Sequence, residues 1–312
     1  MAHGLTSGLN ANVTKTALDK VFYQKYNRVP GPQFSVAGDE MVFQQDSTDR
    51  AAVIIENFKG VGLWEETAEQ AEYKGDTPLV TDQITFTVAR FTKKFHITEE
   101  MMEDDQHTVV RNAVSQMGTK ANVTQNRESM GIYRNADGST LTSDGVALLS
   151  ASHSNIAGDT IDNTVSGALT VDTLEEGVNL LVEQKDQAGD IIGHEAKTLL
   201  VPPATFKEAT EILESTLEAN TTDNQLNVYS AKYGIVIRQS QYLGAAAGGK
   251  STTPPFFLMG EYHSVFRWVR VPVQTKMLSG DYEANGDSVY RGRYREVYGA
   301  ISYEALVGYE GV

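Results

Sequence analysis

The sequence predicts a mixed α+β fold in which helices and strands occupy separate stretches of the chain. Apolar residues recur with a period of two over residues 84–88, which is typical of a strand. They recur at helical spacing after residue 98, whereas Gly, Ser, Asn and Asp dominate residues 139–167, which is typical of a loop. With 312 residues, the chain can form one large domain or two modest ones.

The composition is acidic and excludes several classes of protein. Lys and Arg total 26 against 41 Asp and Glu, and the net charge of −15 is unfavourable for wrapping duplex DNA on a basic surface. Cysteine is absent, which excludes disulfides, thiolate metal sites and cysteine nucleophiles. No apolar stretch is long enough to span a membrane, and the first residues lack the basic start and apolar run of a secretory signal. We therefore expect a soluble, intracellular protein.

The first 50 residues are weakly patterned, with one short helix predicted within them. Over residues 15–26, three apolar side chains fall on one side of a helix: Leu18, Val21 and Phe22. The remainder is interpreted as an extended arm. An arm without a core of its own is expected to pack on its own domain or on a neighbouring subunit.

The next elements predict a long two-stranded ribbon with an acidic tip. Residues 84–88 form one strand, residues 53–58 supply its partner, and residues 91–97 continue as a strand. The acidic tip lies between the two ribbon strands and contains Glu65, Glu66, Glu69, Glu72, Lys74 and Asp76. An isolated ribbon is marginally stable in water, so we expect this one to pack on a partner.

A long helix is predicted to begin at Thr98. Glutamates lie in its first turns, at positions 99, 100 and 103, where the helix dipole favours anions. Apolar residues follow at helical spacing from Met102 to Ala121, the pattern then fades through a polar stretch, and Asp137-Gly138 ends the segment. A helix of about 35 residues would span on the order of 50 Å.

Shorter elements are predicted in the second half of the chain. A capping box from Asp172 to Glu175 begins a helix that stops at Gly189. A further helix follows Pro202-Pro203 and carries Phe206 on its apolar side. The predicted strands cover residues 198–201, 226–229, 234–238, 256–259, 265–273 and 289–307.

One segment matches a nucleotide-binding pattern, but its context argues against that function. Residues 244–251 fit G-x-x-x-x-G-K-[ST], with Lys250 and Ser251 at the key positions. Such a loop needs a helix that begins at the lysine, which Pro254-Pro255 disfavour, so a flexible surface loop is predicted. His96 and His153 lie in no hydrolase or metalloenzyme motif. The sequence therefore predicts no catalytic, cofactor or metal residues, and no enzyme.

Three alternating arginines are candidates for an interaction surface. On a strand, Arg291, Arg293 and Arg295 share one face. Together with Arg267 and Arg270 they have the charge to bind phosphate. In so acidic a chain, pairing with carboxylates is favoured, across subunits if the protein assembles.

The order of these features resembles the major capsid proteins of tailed bacteriophages, which have the Hong Kong 97-type fold, and among them the Mu-like head-subunit group. The resemblance covers roughly residues 45–312. It rests on Glu65-Glu66 leading through a strand to residues 95–105, and on three further segments: residues 147–153, 197–206 and 291–309. None of these is a catalytic signature, and the resemblance lies in their order and spacing.

The resemblance implies five parts: an N-terminal arm, an extended β-hairpin loop, a peripheral domain with a spine helix, an axial domain, and C-terminal strands that return to the peripheral domain. The corresponding residues are 1–45, 46–96, 97–140, 141–269 and 270–312. Arm and extended loop would bury their surface on other subunits, and axial domains would meet around five-fold and six-fold axes. The candidate contacts between subunits are then Glu65, Glu66, Glu72, Lys74, Arg291, Arg293 and Arg295.

The resemblance also implies a structural function. Hexamers and pentamers of a major head protein would form an icosahedral shell around double-stranded DNA, in virions assembled in the bacterial cytoplasm. A separate scaffolding protein and a portal are implied partners, a cement protein is a further candidate, and no cofactor or membrane contact is expected. Two alternatives remain open: an encapsulin-type compartment of the same fold, and a P-loop nucleotide hydrolase that uses Lys250 and Ser251.

Overall fold

The computed structural model describes residues 15–27, 42–59, 63–64, 66–69, 71–73, 75, 79–98, 100–101, 107–215, 234–249, 253–278, 287–309 and 311. Within these ranges, two four-stranded sheets are each packed against two helices. Helices and strands are segregated along the chain, so the predicted α+β class is confirmed.

The first sheet has four strands in the order β1-β10-β11-β4. Their bounds are β1 (Gln44–Ser47), β10 (Val265–Leu278), β11 (Ser288–Ala300) and β4 (Ala89–Ile97). β1 runs parallel to β10, whereas the other neighbours are antiparallel. β10 contains two irregularities in its pairing with β11, while β11 pairs with β4 residue by residue. Within this sheet β4 is an edge strand.

Two helices, α1 (Lys15–Tyr26) and α2 (His107–Arg134), cover one face of the first sheet. Leu18 and Phe22 of α1 are buried in one cluster with Val114 of α2 and Tyr290 of β11. Gly118 of α2 permits this close approach, because a Cβ at that position would overlap the carbonyl oxygen of Phe22. The predicted helix over residues 15–26 is confirmed, with its apolar side against the sheet and α2.

Asp19 ties α1 to the sheet. One carboxylate oxygen accepts hydrogen bonds from the Thr275 hydroxyl (2.6 Å) and the Tyr290 hydroxyl (2.7 Å), and the other lies 2.9 Å from Nζ of Lys15. Burial alone would raise the pKa of the Asp19 carboxyl, but the hydrogen bonds from Thr275, Lys15 and Tyr290 together outweigh burial and lower the pKa. The ionised carboxylate is therefore the form that holds α1 in place.

A helical turn follows Thr98, where the sequence predicts the start of the long helix. The Oγ1 of Thr98 accepts a hydrogen bond from the backbone N–H of Met101 (3.2 Å), and residues 100–101 are helical. Glu99 and residues 102–106 lie outside the described part of the chain. Helix α2 begins at His107, covers 28 residues and ends at Arg134, and at 1.5 Å per residue it spans about 42 Å.

The predicted ribbon is confirmed. β2 (Ala52–Lys59) pairs antiparallel with β3 (Leu79–Thr87), and only Val88 separates β3 from β4. At the root of the ribbon, the ring of Phe86 stacks on Trp268 with a centroid distance of 4.9 Å, and it covers Gly299 of β11. Gly299 and Tyr290 point to opposite faces of β11, because their positions differ by an odd number. The ribbon therefore packs on the face of the first sheet that α1 and α2 leave uncovered.

The second sheet has the strand order β12-β9-β7-β8. Its strands are β7 (Ala196–Val201), β8 (Val236–Gln239), β9 (Phe256–Gly260) and β12 (Leu306–Tyr309). Helices α3 (Val171–Val182) and α4 (Phe206–Glu214) pack on it through one apolar cluster. Two short strands, β5 (His153–Ser154) and β6 (Thr160–Ile161), pair with each other in the preceding loop.

A third apolar cluster joins the two sheets. It contains Leu200 and Phe257 of the second sheet together with Val265 and Ala300 of the first. Tyr133, near the end of α2, lies inside this cluster and donates a hydrogen bond from its hydroxyl to the carbonyl of Val42 (2.6 Å). The sheets therefore share buried side chains.

Three predicted boundaries were wrong. The N-cap of α3 is Thr170 rather than Asp172, because Thr170 and Thr173 form a reciprocal capping box, with Asp172 inside the first turn. α3 ends at Val182, well before Gly189. The single strand predicted over residues 289–307 is divided into β11 and β12 by a turn. The strand predicted over residues 226–229 lies outside the described residues.

Candidate subunit interface

One face of the first sheet carries six cations, which we call the basic face: Arg90, Lys94, Lys276, Arg291, Arg293 and Arg295. Residues directly opposite each other on antiparallel strands point to the same face. The register places Arg291 between Lys94 of β4 and Lys276 of β10, and it places Arg295 opposite Arg90. The prediction that the three arginines of β11 share a face is confirmed.

The charge of the basic face is not compensated within the described part of the chain. None of its six cations forms an ion pair with another described residue. Five of them are exposed, while Arg295 is half-buried and its Nε has no hydrogen-bond partner. Like charges directly opposite each other across a sheet are destabilising. In a chain of net charge −15, this arrangement favours an anionic partner.

An apolar groove lies beside β4 on the other face of the sheet, between β4 and α2. We call it the α2–β4 groove; its volume is about 570 Å³. The apolar side chains that line it include Phe22, Phe91, Phe95, Ala113 and Met117. Cationic residues also line it, namely Lys93, Lys94, Lys120 and Arg293.

Gly292 of β11 lies in the lining of the α2–β4 groove and adds no side chain to it. It lies opposite Lys93 of β4, and a Cβ at position 292 would lie 3.4 Å from the Cε of Met117. A second cavity, of about 480 Å³, lies on the same stretch of β4 and is lined by Arg90 and Arg291 among others. Cations therefore surround the β4 edge on both faces of the sheet.

The acidic tip and the residues beside it are exposed. Glu66, Glu69 and Glu72 all face solvent. Three large apolar side chains accompany them: Leu63 is 74% exposed, Trp64 98% and Tyr73 96%. Clusters of exposed large apolar residues mark interaction sites, and Trp and Tyr are enriched among the residues that dominate binding energy.

Among the predicted contact residues, the structure describes Glu66, Glu72 and the three arginines of β11, whereas Glu65 and Lys74 lie outside the described ranges. No ion pair between described residues joins the acidic tip to the basic face of the same chain. Sequence reasoning missed Arg90, Lys94 and Lys276, because their place beside the arginines depends on strand register.

Arg267 does not belong to the basic face, contrary to the grouping made from the sequence. It points to the helix side of the sheet, where its guanidinium lies 2.7 Å from the Oε2 of buried Glu296. Gln125 of α2 donates to the same oxygen (3.1 Å), and the Tyr298 hydroxyl donates to Oε1 (2.9 Å). The polar stretch of the long helix is thus buried over an ion pair.

The segment 244–251 does not have the surroundings of a phosphate-binding loop. Residues 245–247 form one short 3₁₀ turn, and the next described element is strand β9, which begins at Phe256. A phosphate-binding loop continues into a helix at its lysine. Lys250 and Ser251 themselves lie outside the described residues.

His153 holds a loop together. Its Nδ1 lies 2.7 Å from Oδ2 of Asp144 and its Nε2 lies 3.3 Å from the carbonyl oxygen of Leu148, and the side chain is fully buried. Both ring nitrogens are thus used by groups that are not nucleophiles.

Across the ranges that the structure describes, no cluster of three His, Asp or Glu side chains is arranged to hold a metal ion. The helices in those ranges also lack the combination of length and apolar character that a membrane span requires.

The family comparison identifies one match. Residues 81–308, well over half of the chain, match the model of a family described as phage capsid protein. No curated protein sequence matches this chain.

Solved structures similar to the fold come from capsids and a virus-like particle. The virus-like particle from Pyrococcus furiosus matches with a TM-score of 0.51 and 11% identity, over 94% of this chain and 98% of that one. The capsid of Cyanophage P-SCSP1u matches with a TM-score of 0.51 and 11% identity, over 86% of each chain. The capsid of an empty GTA particle matches with a TM-score of 0.50 and 12% identity, over 92% of this chain and 93% of that one.

Proposed function

Because the chain belongs to the phage capsid protein family and is a major capsid protein of the Hong Kong 97-type fold, we propose that its hexamers and pentamers form an icosahedral shell around double-stranded DNA. The family match over residues 81–308 supports this proposal. It favours a phage head over an encapsulin-type compartment.

The observation that carries the subunit contact is the uncompensated charge of the basic face. The acidic tip of a neighbouring copy has the opposite charge, and its described residues Glu66 and Glu72 are exposed. We propose that the carboxylates of the acidic tip, with Glu65 among them, contact Arg291, Arg293 and Arg295 of the next subunit. Lys74 would pair with a carboxylate of that subunit. The extended loop then buries on a neighbour the surface that it leaves exposed in one chain, and the N-terminal arm is proposed to pack on a neighbouring subunit as well.

Each ion pair contributes little free energy to the contact, but the contributions add up over all the contacts of a shell. Exposed ion pairs contribute about 0.2–1 kcal/mol each and weaken as salt rises. Relief of the repulsion between Arg291 and its two cationic neighbours adds to this. Because the contact repeats around every hexamer and pentamer, small increments at each copy determine whether the shell closes.

The remaining parts of the proposal concern partners and place. A separate scaffolding protein is proposed, with a portal and a cement protein as further partners. Assembly in the cytoplasm of a bacterial host is proposed. The acidic chain would enclose DNA without sequence-specific binding, because strong attraction to the wall would hinder packaging and release. Tight duplex binding by isolated subunits at physiological salt would contradict this part.

We propose a structural role without catalysis, since the family is one of structural proteins. The P-loop alternative has a simple discriminating variant. Lys250→Ala should leave assembly unchanged; loss of nucleotide turnover with intact shells would support a hydrolase instead.

Electron microscopy of Arg291→Glu tests the subunit contact. This variant replaces two like-charge neighbours by opposite-charge pairs with Lys94 and Lys276, so the subunit is expected to remain folded. We expect closed shells from the wild type, alone or with its scaffolding protein, and few or none from the variant at low salt. The matched control is Lys20→Glu, which makes the same charge change on the exposed side of α1.

A charge exchange completes the test. Glu66→Arg combined with Arg291→Glu should recover part of the assembly that either change removes. Arg291→Glu shells that form as readily as those of Lys20→Glu would contradict the proposed contact. A wild-type protein that stays monomeric under all conditions would contradict the shell itself.

A further inference from the structure

We propose that Trp64 of one copy inserts into the α2–β4 groove of a neighbouring copy and is the apolar anchor of the contact between subunits. This inference rests on the proposed assembly into a shell, and it identifies which side chain and which cavity meet. The groove and the basic face lie on opposite sides of the edge strand β4. A tip that wraps around this edge places Trp64 in the groove and its carboxylates beside the cations on both sides.

The groove has the size and lining that an indole ring requires. Pockets of roughly 300–1,000 Å³ accept drug-sized molecules, and the volume here is about 570 Å³. Phe91, Phe95 and Met117 supply aromatic and thioether surfaces, which pack well against aromatic rings. The absence of a side chain at Gly292 leaves the space between β4 and Met117 unfilled.

Charge complementarity indicates what the groove binds. Trp64 stands next to an acidic segment in which Glu66, Glu69 and Glu72 are exposed. The groove is lined by Lys93 and Lys120 as well as by apolar residues. The tip has an aromatic side chain beside carboxylates, and the groove has an apolar lining beside ammonium groups. The two surfaces are therefore complementary in hydrophobic and in electrostatic terms.

Trp64 does not occupy the α2–β4 groove of its own chain. The root of the ribbon, at Phe86, packs against Trp268 and Gly299, on the face of the first sheet opposite to the groove. From there the ribbon extends for about eight residues, or roughly 26 Å at 3.3 Å per residue. The tip is thus carried away from its own sheet, and a second copy is the occupant that supplies an equivalent tip.

Tryptophan fluorescence tests the proposal directly. The chain has two tryptophans, and Trp268 is only 3% exposed. In a Trp268→Phe background, the signal reports Trp64 alone. We expect Trp64 to be quenched freely by acrylamide in unassembled subunits, and the quenching constant to fall several-fold in assembled shells.

A variant that fills the groove separates this contact from assembly in general. Ala113 lies on α2 in the lining of the groove, so Ala113→Phe should occupy the space that the indole takes. We expect Trp64 to remain quenchable in any shells that this variant forms. The matched control is Asn112→Phe, which adds the same ring on the exposed side of α2, outside the groove, and should leave Trp64 protected.

Truncation of the anchor measures its contribution. Trp64→Ala should weaken each contact about 30-fold, the effect expected of a dominant interface tryptophan, and so raise the subunit concentration needed for assembly. Trp64→Phe should recover most of this loss. Shells in which Trp64 is as quenchable as in free subunits would overturn this inference while the proposed function stands. Failure of the wild type to assemble would instead overturn the proposed function.

Discussion

A methyl group at position 118 should push α1 away from α2 and weaken their packing. Gly118 lies where the two helices cross, and the Cβ of Gly118→Ala would overlap the carbonyl oxygen of Phe22 and lie 3.2 Å from its carbonyl carbon. The contact is with backbone, which cannot rotate away, so α1 must recede. Residues that depend on this approach are Leu18 and Phe22, which are 0% and 1% exposed.

The magnitude follows from the loss of packing. Burial of two such side chains contributes about 3–6 kcal/mol, and a gap of about 0.5–1 Å forfeits a quarter to a half of the dispersion attraction. The clash should therefore cost about 1–3 kcal/mol, in the range found for overpacked cores. Alanine also favours the helix by about 1 kcal/mol over glycine, which offsets part of the cost.

Gly131→Ala is the matched control, because it makes the same change in the same helix. Its Cβ would meet only the end of the Arg134 side chain, at 3.7 Å. The gain in helix propensity cancels between the two variants, so Gly118→Ala should be less stable than Gly131→Ala by about 1–3 kcal/mol. Urea unfolding of unassembled subunits measures this difference, and hydrogen exchange should show faster exchange over residues 15–26 in Gly118→Ala alone. Equal stability of the two variants, with unchanged exchange in α1, would refute the reasoning.

Two further predictions concern buried charge. Glu296→Gln should lower the free energy of unfolding by about 3–5 kcal/mol, because it leaves the Arg267 guanidinium buried without its carboxylate. Urea unfolding should show that adding Arg267→Met recovers most of this loss. If the double variant recovers nothing, the pairing is contradicted. For Asp19, the pKa is lower in the folded protein than in the unfolded chain, so its stabilising effect is present above about pH 4 and is lost as pH falls through the folded pKa. Unfolding measured between pH 2 and pH 6 should show this loss in the wild type, and a weaker pH dependence in Asp19→Asn.

Elements built on local periodicity could be predicted from the sequence. α1 was predicted with its observed bounds because Leu18 and Phe22 repeat at helical spacing. The ribbon was predicted because alternation of apolar residues around Phe86 requires a strand. In both cases the information lies within about ten residues.

Features that depend on distant partners could not be predicted. Gln125 is a polar residue of α2, and its polarity predicts that it faces solvent. It is buried instead, because Glu296, 171 residues away, accepts its hydrogen bond. Lys94 and Lys276 join the basic face only through strand register, which periodicity does not specify. The arginines of β11 could be predicted because their alternation is local, whereas the groove is lined by residues from α1, α2, β4, β10 and β11, which only the tertiary fold brings together.

Val88 gives the subunit a continuous path for mechanical load. It alone separates the ribbon strand β3 from β4, and its N–H donates to the carbonyl of Ala51 (3.0 Å), which clamps both ribbon strands at their root. A pull on the tip passes along β3 into β4, where nine consecutive residue pairs with β11 resist it. The load runs along the strand, so these pairs are sheared together rather than peeled apart one at a time. A subunit gripped by its neighbour would thus carry tension through its own backbone while its apolar clusters stay undisturbed.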